Sequence, residues 1–178
     1  MQTDFETIDG YKVIRKIGEG GYGIALLVKN EGEEYFILKF INPKTPASKF
    51  QSILKTFRNE YQMQKDIDHP NVVKLRDYTE NGVWKNKEGK VKYENLVYLV
   101  SENCARGELF DLVLKSNGVH ENEARFFFKQ LIDGLSFMKS KGIFHRDLKM
   151  ENLFVDNQFN LKIGDFGFAT DRDTTQTY

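Results

Sequence analysis

Three glycines, Gly18, Gly20 and Gly23, interrupt a β-rich stretch and constrain the fold of this chain more than any other feature. The run YKVIRKIG ends on the first of them and IALLVKN follows the last, so they stand between two strands. Glycine admits positive φ and lets a backbone come close to phosphate oxygens. In a dinucleotide-binding fold the same spacing follows a strand and opens a helix. Here a strand pattern follows instead, and a third β-rich run, EYFILKF, comes after it. A plain hairpin also uses glycines this way, so the spacing alone leaves ligand binding open.

The period then changes. Phe50, Ile53, Leu54, Phe57 and Tyr61 form one helical stripe and predict a helix over 47–68. His69-Pro70-Asn71 ends it, because a residue before proline avoids the α region. Strands are expected at VVKLRDY and NLVYLV, with a long charged hairpin between them turning at Asn81-Gly82 and Glu88-Gly89. SENCARG reads as a connector, followed by a short helix near 108–115. Ala124, Phe127, Phe128, Leu131, Leu135 and Met138 mark a helix over 121–141, with Glu121 and Glu123 in its first turn and Lys139 and Lys141 in its last. Gly142 fits the residue just past its end. The triplet Phe126-Phe127-Phe128 reads as core packing. A β-rich half thus precedes a helical half, an α+β pattern.

Lys plus Arg and Asp plus Glu both total 26, which argues against nucleic acid as a partner. The 178 residues suffice for one domain with a core. The single cysteine, Cys104, rules out an intrachain disulfide framework. MQTDFETIDG is polar and acidic, without the apolar stretch of a signal peptide, and no apolar run approaches a membrane span. The expectation is a cytoplasmic or nuclear protein without a membrane partner.

Two further passages decide the reading. His145-Arg146-Asp147-Leu148-Lys149-Met150-Glu151-Asn152 is followed by Asp165-Phe166-Gly167, both behind the glycines and behind Lys39 in the third strand. Together and in this order they resemble the catalytic domain of the protein kinase superfamily, over about residues 11–178. The lysine two residues after Asp147 is the mark of the Ser/Thr kinases, and GELFDLV resembles the calmodulin-dependent and AMP-activated-like group.

The resemblance implies a two-lobe α+β fold: a leader at 1–10, an N-lobe at 11–100, a hinge at 101–107, and at 108–178 a C-lobe still incomplete at the activation loop. It implies transfer of the γ-phosphoryl of Mg-ATP to a protein Ser or Thr hydroxyl. Such transfer is mostly positioning and charge neutralisation. Asp147 would orient the substrate hydroxyl and accept its proton, Lys149 would touch the transferring phosphate, and Lys39, paired with Glu60, would hold the α and β phosphates. Asn152 and Asp165 offer oxygen ligands that suit Mg²⁺. Ile17, Gly18, Gly20, Gly23, Ala25, Ile37, Ser101, Glu102, Cys104, Glu108 and Phe154 would complete the nucleotide site, with Ser101 as a small gatekeeper. Glu108 and Glu151 hint at basic residues upstream of the target. His145 is expected to pack against Phe166, and Arg146 to hold a phosphorylated activation loop. Thr177, with Thr174 and Thr175 as rivals, is the expected site for an activating kinase or autophosphorylation.

The chain departs from the family pattern at Ala25 and Ile37, a small-for-large and large-for-small exchange read as compensating in volume. It also carries Gln64 where an apolar spine residue is usual, which is expected to loosen the active arrangement. Lacking the later helices, residues 1–178 are expected to expose apolar surface and to be marginally stable. Two rival readings are a truncated, non-catalytic nucleotide-binding or scaffold module, and a small-molecule kinase of related fold.

Overall fold

Residues whose side chains alternate between core and surface make the first part of the chain a sheet. The computed structural model describes residues 4–171. Six strands close into a barrel in the order β1-β2-β3-β4-β6-β5: β1 Thr7–Ile8, β2 Tyr11–Gly20, β3 Gly23–Lys29, β4 Tyr35–Phe40, β5 Leu75–Lys85 and β6 Val91–Glu102. Phe36, Leu38 and Phe40 of β4 alternate inward and meet Leu26, Val28, Trp84, Leu96, Tyr98 and Val100 in one apolar core. Phe40 and Trp84 meet edge to face with ring centroids 5.4 Å apart.

Residues 1–10, read as a leader, contribute a strand. β1 pairs with both β2 and β5 and so closes the barrel, and Ile8 is fully buried. Side chains fasten it: Trp84 Nε1 donates to Glu6 at 2.7 Å and the Tyr98 hydroxyl to Asp9 at 2.9 Å. Short polar residues flanking a two-residue strand give no periodic signal, which is why the sequence did not show it.

The charged hairpin also differs from expectation. Only Glu88-Gly89 turns; Asn81-Gly82 lies inside β5, where the register with β6 shifts. Gly82 is there for close packing, since a Cβ would lie 2.5 Å from the Tyr98 ring. Sequence alone cannot tell that use of glycine from a turn.

Helix α1, Ala47–Gln64, stops before the expected residue 68. The Gln64 side chain is spent on the carbonyl of Val73 at 2.5 Å, and Ile67 N–H closes a tighter turn onto Gln64 O. Gln64 is buried with its amide nitrogen bonded.

The described residues fall into two compact units. One runs to Arg58 and adds Leu75–Asn103; the other comprises Asn59–Lys74 and the chain from Cys104 onward. The second unit holds α2 Leu109–Lys115, α3 Glu121–Ser140 and a small sheet of β7 Gly107–Glu108, β8 Leu153–Val155 and β9 Leu161–Ile163. Its core gathers Ile67, Val72, Leu109, Phe127, Met138, Leu153, Val155, Leu161, Ile163 and Phe166.

Gly142 ends α3 as expected. Its φ is +71°, its N–H donates to Lys139 O, and Ile143 N–H reaches back to Met138 O, the two bonds of a Schellman motif. The phenylalanine triplet is not core throughout. Phe127 is buried, whereas Phe126 and Phe128 are 52% and 63% exposed. Consecutive helical residues point about 100° apart, so three in a row cannot share one buried face.

Candidate active site

The register of the barrel sorts the expected nucleotide residues. Directly paired residues of neighbouring strands project to the same face. Ala25 is opposite Lys39, and Ile37 is opposite Ser101. These four half-buried side chains therefore share the face turned away from the barrel core. Lys39 Nζ lies 5.6 Å from the centre of the Phe57 ring on α1.

Gly20 pairs with Gly23, so the glycine motif is a tight β2–β3 hairpin with Gly21 and Tyr22 at its tip. Ile17 sits at a register shift and is 45% exposed. Of the three motif glycines only Gly23 has a positive φ, and a Cβ there would meet Phe40 O at 2.4 Å. A Cβ at Gly18 or Gly20 would meet open space. Glu60, on α1, is buried. β6 carries Ser101 and Glu102 at its end, and Cys104 O accepts from Gly107 N–H in the turn that follows.

In the second unit Asp147, Lys149 and Asn152, expected to act in catalysis, form one hydrogen-bonded cluster. Lys149 Nζ donates to Asp147 Oδ2 at 3.0 Å. Asn152 Nδ2 donates to Asp147 Oδ2 at 3.0 Å and to Asp147 O at 2.8 Å. The Lys149 contact, helped by Asn152, holds the Asp147 carboxyl below its ordinary pKa, against the opposing effect of burial. Lys149 is raised in turn, chiefly by the same bond. Asp147 is thus a carboxylate at neutral pH, fit to accept a proton but not to donate one.

His145 is buried, its ring edge-on to Phe166 at 5.2 Å. Its Nε2 faces Gly164 O at 2.8 Å while Asp147 N–H donates to Nδ1 at 3.3 Å. A carbonyl only accepts and an N–H only donates, so the proton is on Nε2 and the imidazole is a structural strut. Arg146 Nε donates to Phe168 O at 2.8 Å. Arg146 and Asp165 both hold left-handed backbones, with φ of +63° and +60°. Such strain persists where surrounding contacts over-determine the conformation, and it concentrates at functional sites.

Phe154, on β8, covers Gly164: a Cβ there would fall 2.8 Å from its ring. Gly164 was not singled out from the sequence, because the need for glycine comes from a ring ten residues earlier. Glu108 has its pKa raised, first by burial and then by Asp111 and Glu151. Its acid company fits a cationic or hydroxyl-bearing ligand. Thr174, Thr175 and Thr177 lie outside the described residues.

Residues 11–178 match the protein kinase domain family. The chain belongs to the protein kinase domain family. This kinase domain is 35% identical over 161 residues to CBL-interacting protein kinase 24 of Oryza sativa subsp. japonica, covering 90% of this chain and 32% of that protein. It is 34% identical over 163 residues to the serine/threonine-protein kinase chk1 of Schizosaccharomyces pombe, covering 90% and 30%. With the serine/threonine-protein kinase SAPK2 of Oryza sativa subsp. indica the identity is 35% over 165 residues, covering 91% and 43%. The chain therefore spans about a third of the length of the curated relatives it matches. No described helix is long and apolar enough to cross a membrane.

The donor set suits Mg²⁺. Asn152 commits its amide nitrogen to Asp147, which leaves its Oδ1 as the atom with lone pairs to offer. Asp165 adds a carboxylate, and Mg²⁺ takes few protein oxygens together with water and phosphate oxygens. Among the described residues no group of three or more His, Cys, Asp or Glu is arranged to hold a metal. A site completed by a nucleotide's own phosphates does not need one.

Proposed function

We propose that this chain forms the catalytic part of a protein Ser/Thr kinase that transfers the γ-phosphoryl of Mg-ATP to a protein hydroxyl. The observation that carries this reading is the Asp147–Lys149–Asn152 cluster. It holds one carboxylate ionised, puts an ammonium beside it, and orients an amide oxygen. The names of the relatives support the Ser/Thr class.

Each residue then has a task its chemistry allows. Asp147 orients the substrate hydroxyl and accepts its proton as the oxygen attacks phosphorus. Lys149 neutralises charge on the transferring group. Lys39, with Glu60 as its orienting partner, holds the α and β phosphates. Gly18 and Gly20 leave the hairpin backbone bare where the protein's own packing makes no demand for glycine, so a phosphate can approach it. Ala25, Ile37, Ile17 and Phe154 supply apolar contact to the base, Glu102 and Cys104 backbone groups to its edge, and Glu108 a carboxylate to ribose or to a basic residue of the substrate. Asn152 and Asp165 would hold Mg²⁺, whose positive charge would offset the negative charge of the phosphate oxygens. Substrates with basic residues before the Ser or Thr fit the acids Glu108, Asp111 and Glu151. An activating phosphate on Thr177 and a cytoplasmic or nuclear setting complete the reading.

The test is transfer of radiolabelled phosphate from ATP, with Mg²⁺, to Ser- or Thr-containing peptides with and without upstream arginines. Label on the hydroxyl, lost on omitting Mg²⁺ and in Lys39→Met, is the expected result. Nucleotide binding without any transfer would favour a non-catalytic module.

A further inference from the structure

A second residue of α1 makes contacts that the reading above does not use. Asn59, immediately before Glu60, is half-buried near the middle of the helix, where asparagine is a poor helix former. Its amide nitrogen faces three backbone carbonyls: Phe166 O at 3.3 Å, Gly167 O at 3.1 Å and Ala169 O at 2.8 Å. All three belong to the segment that begins with Asp165.

The carbonyls of residues 164–170 are shared between two sets of donors. On one side are residues 144–146: His145 Nε2 serves Gly164 O, Arg146 Nε serves Phe168 O, and Phe144 N–H serves Thr170 O. On the other is Asn59. Phe166 O also receives Ala169 N–H. Among the described residues Asn59 is the sole donor to Gly167 O and Ala169 O, both in buried residues. Buried carbonyls without a donor are costly, so losing Asn59 forces either that cost or a movement of the segment.

The segment has little freedom to move without disturbing Asp165. Phe166 is fully buried against His145, and Asp165 is held at a left-handed φ of +60°. A left-handed aspartate relaxes when its surroundings stop enforcing the conformation. Relaxation there swings the carboxylate expected to ligate Mg²⁺.

We propose that Asn59 is a positioning residue: by donating its two amide N–H groups to the carbonyls of Gly167 and Ala169, with that of Phe166 also within reach, it fixes the backbone that aims Asp165 at the metal. The inference rests on the phosphoryl-transfer reading.

The experiment uses the intact protein with Asn59→Leu, which keeps shape but removes the donors, and Asn59→Asp, which sets a carboxylate against the carbonyls. Gln64→Leu is the comparison, because it also removes a buried amide-to-carbonyl bond from α1, but one made to Val73. Calorimetry measures ADP binding without Mg²⁺ and across a Mg²⁺ titration, and hydrogen exchange follows residues 165–170. Both Asn59 variants are expected to bind metal-free ADP like the parent, to need on the order of tenfold more Mg²⁺ for half-saturation, as loss of supporting contacts around ligands does, and to exchange faster at 165–170. Gln64→Leu is expected to lower the melting temperature without that Mg²⁺ shift. Parent-like Mg²⁺ titrations in the Asn59 variants, or an equal shift in Gln64→Leu, would overturn the proposal. A parent protein whose ADP binding ignores Mg²⁺ would instead overturn the phosphoryl-transfer reading.

Discussion

At the residue scale the decisive atom is Asp147 Oδ2, which two donors reach at 3.0 Å. Asp147→Asn keeps the shape and can still accept from Asn152, but it cannot take a proton. Transfer is expected to fall by about 10²-fold or more, the scale of losing a positioned base, with the thermal melt little changed. Turnover near the parent's would remove Asp147 from its role. The charge state gives a second prediction. Because the pKa of Asp147 is lowered, its carboxylate survives acidification below the ordinary value and is lost only as pH falls through the depressed one. Lys149→Ala removes the largest cause of that depression, so a ¹³C titration of the Asp147 carboxyl is expected to move to higher pH. An unmoved titration would mean that Asn152 alone sets the charge. The identities of Asp147, Lys149, Asn152 and Asp165 were legible in the sequence because their chemistry admits few substitutes. Asn59 was not: an asparagine in an amphipathic helix carries no mark of the carbonyls it meets more than a hundred residues later.

At the element scale, ends and turns carry the information. The Schellman ending of α3 isolates the conformational cost of one residue. A Cβ on Gly142 would meet only Asp171 O, at 3.8 Å, so Gly142→Ala tests the φ of +71° and little else. Its cost is expected at about 1–2 kcal/mol, that of a left-handed L-residue, read as a lower denaturation midpoint at constant slope. No loss would mean that the helix end re-forms differently. Gly23→Ala is a harsher change, because its Cβ would meet Phe40 O at 2.4 Å and force β3 from β4 beside Lys39. The strands β2, β3 and β4 and the helices α2 and α3 were legible because periodicity and their bounding residues agree. β1 and the interior of β5 were not, since their order comes from partners distant in sequence.

On the scale of the whole molecule, the described surface carries large apolar side chains on α2 and α3. Leu114 is 67% exposed and Phe128 63%, with Phe126 and Ile132 also open. Exposed apolar patches of this kind favour association or dye binding. The chain of residues 1–178 is expected to bind a hydrophobic reporter dye and to self-associate, and Phe128→Lys is expected to reduce both without lowering the melting temperature. Phe127→Ala, one position away but buried in the core, is expected to cost about 3–5 kcal/mol. Equal effects of the two substitutions would show that the helix face has been misassigned.

The sequence by itself determined the family, the order of β2, β3 and β4 and of the helices, and the chemical identity of the groups expected to act on phosphate. Those features rest on local periodicity and on residue types whose proton, charge and oxygen chemistry cannot be exchanged. Only the tertiary structure decided the barrel closure by Thr7–Ile8, the reason Gly82 and Gly164 must lack side chains, the imidazole tautomer of His145, and the carbonyls that Asn59 and Gln64 satisfy. Each of these depends on which distant backbone or ring comes within a few ångströms, and hydrogen bonding and packing register that distance while composition and period do not.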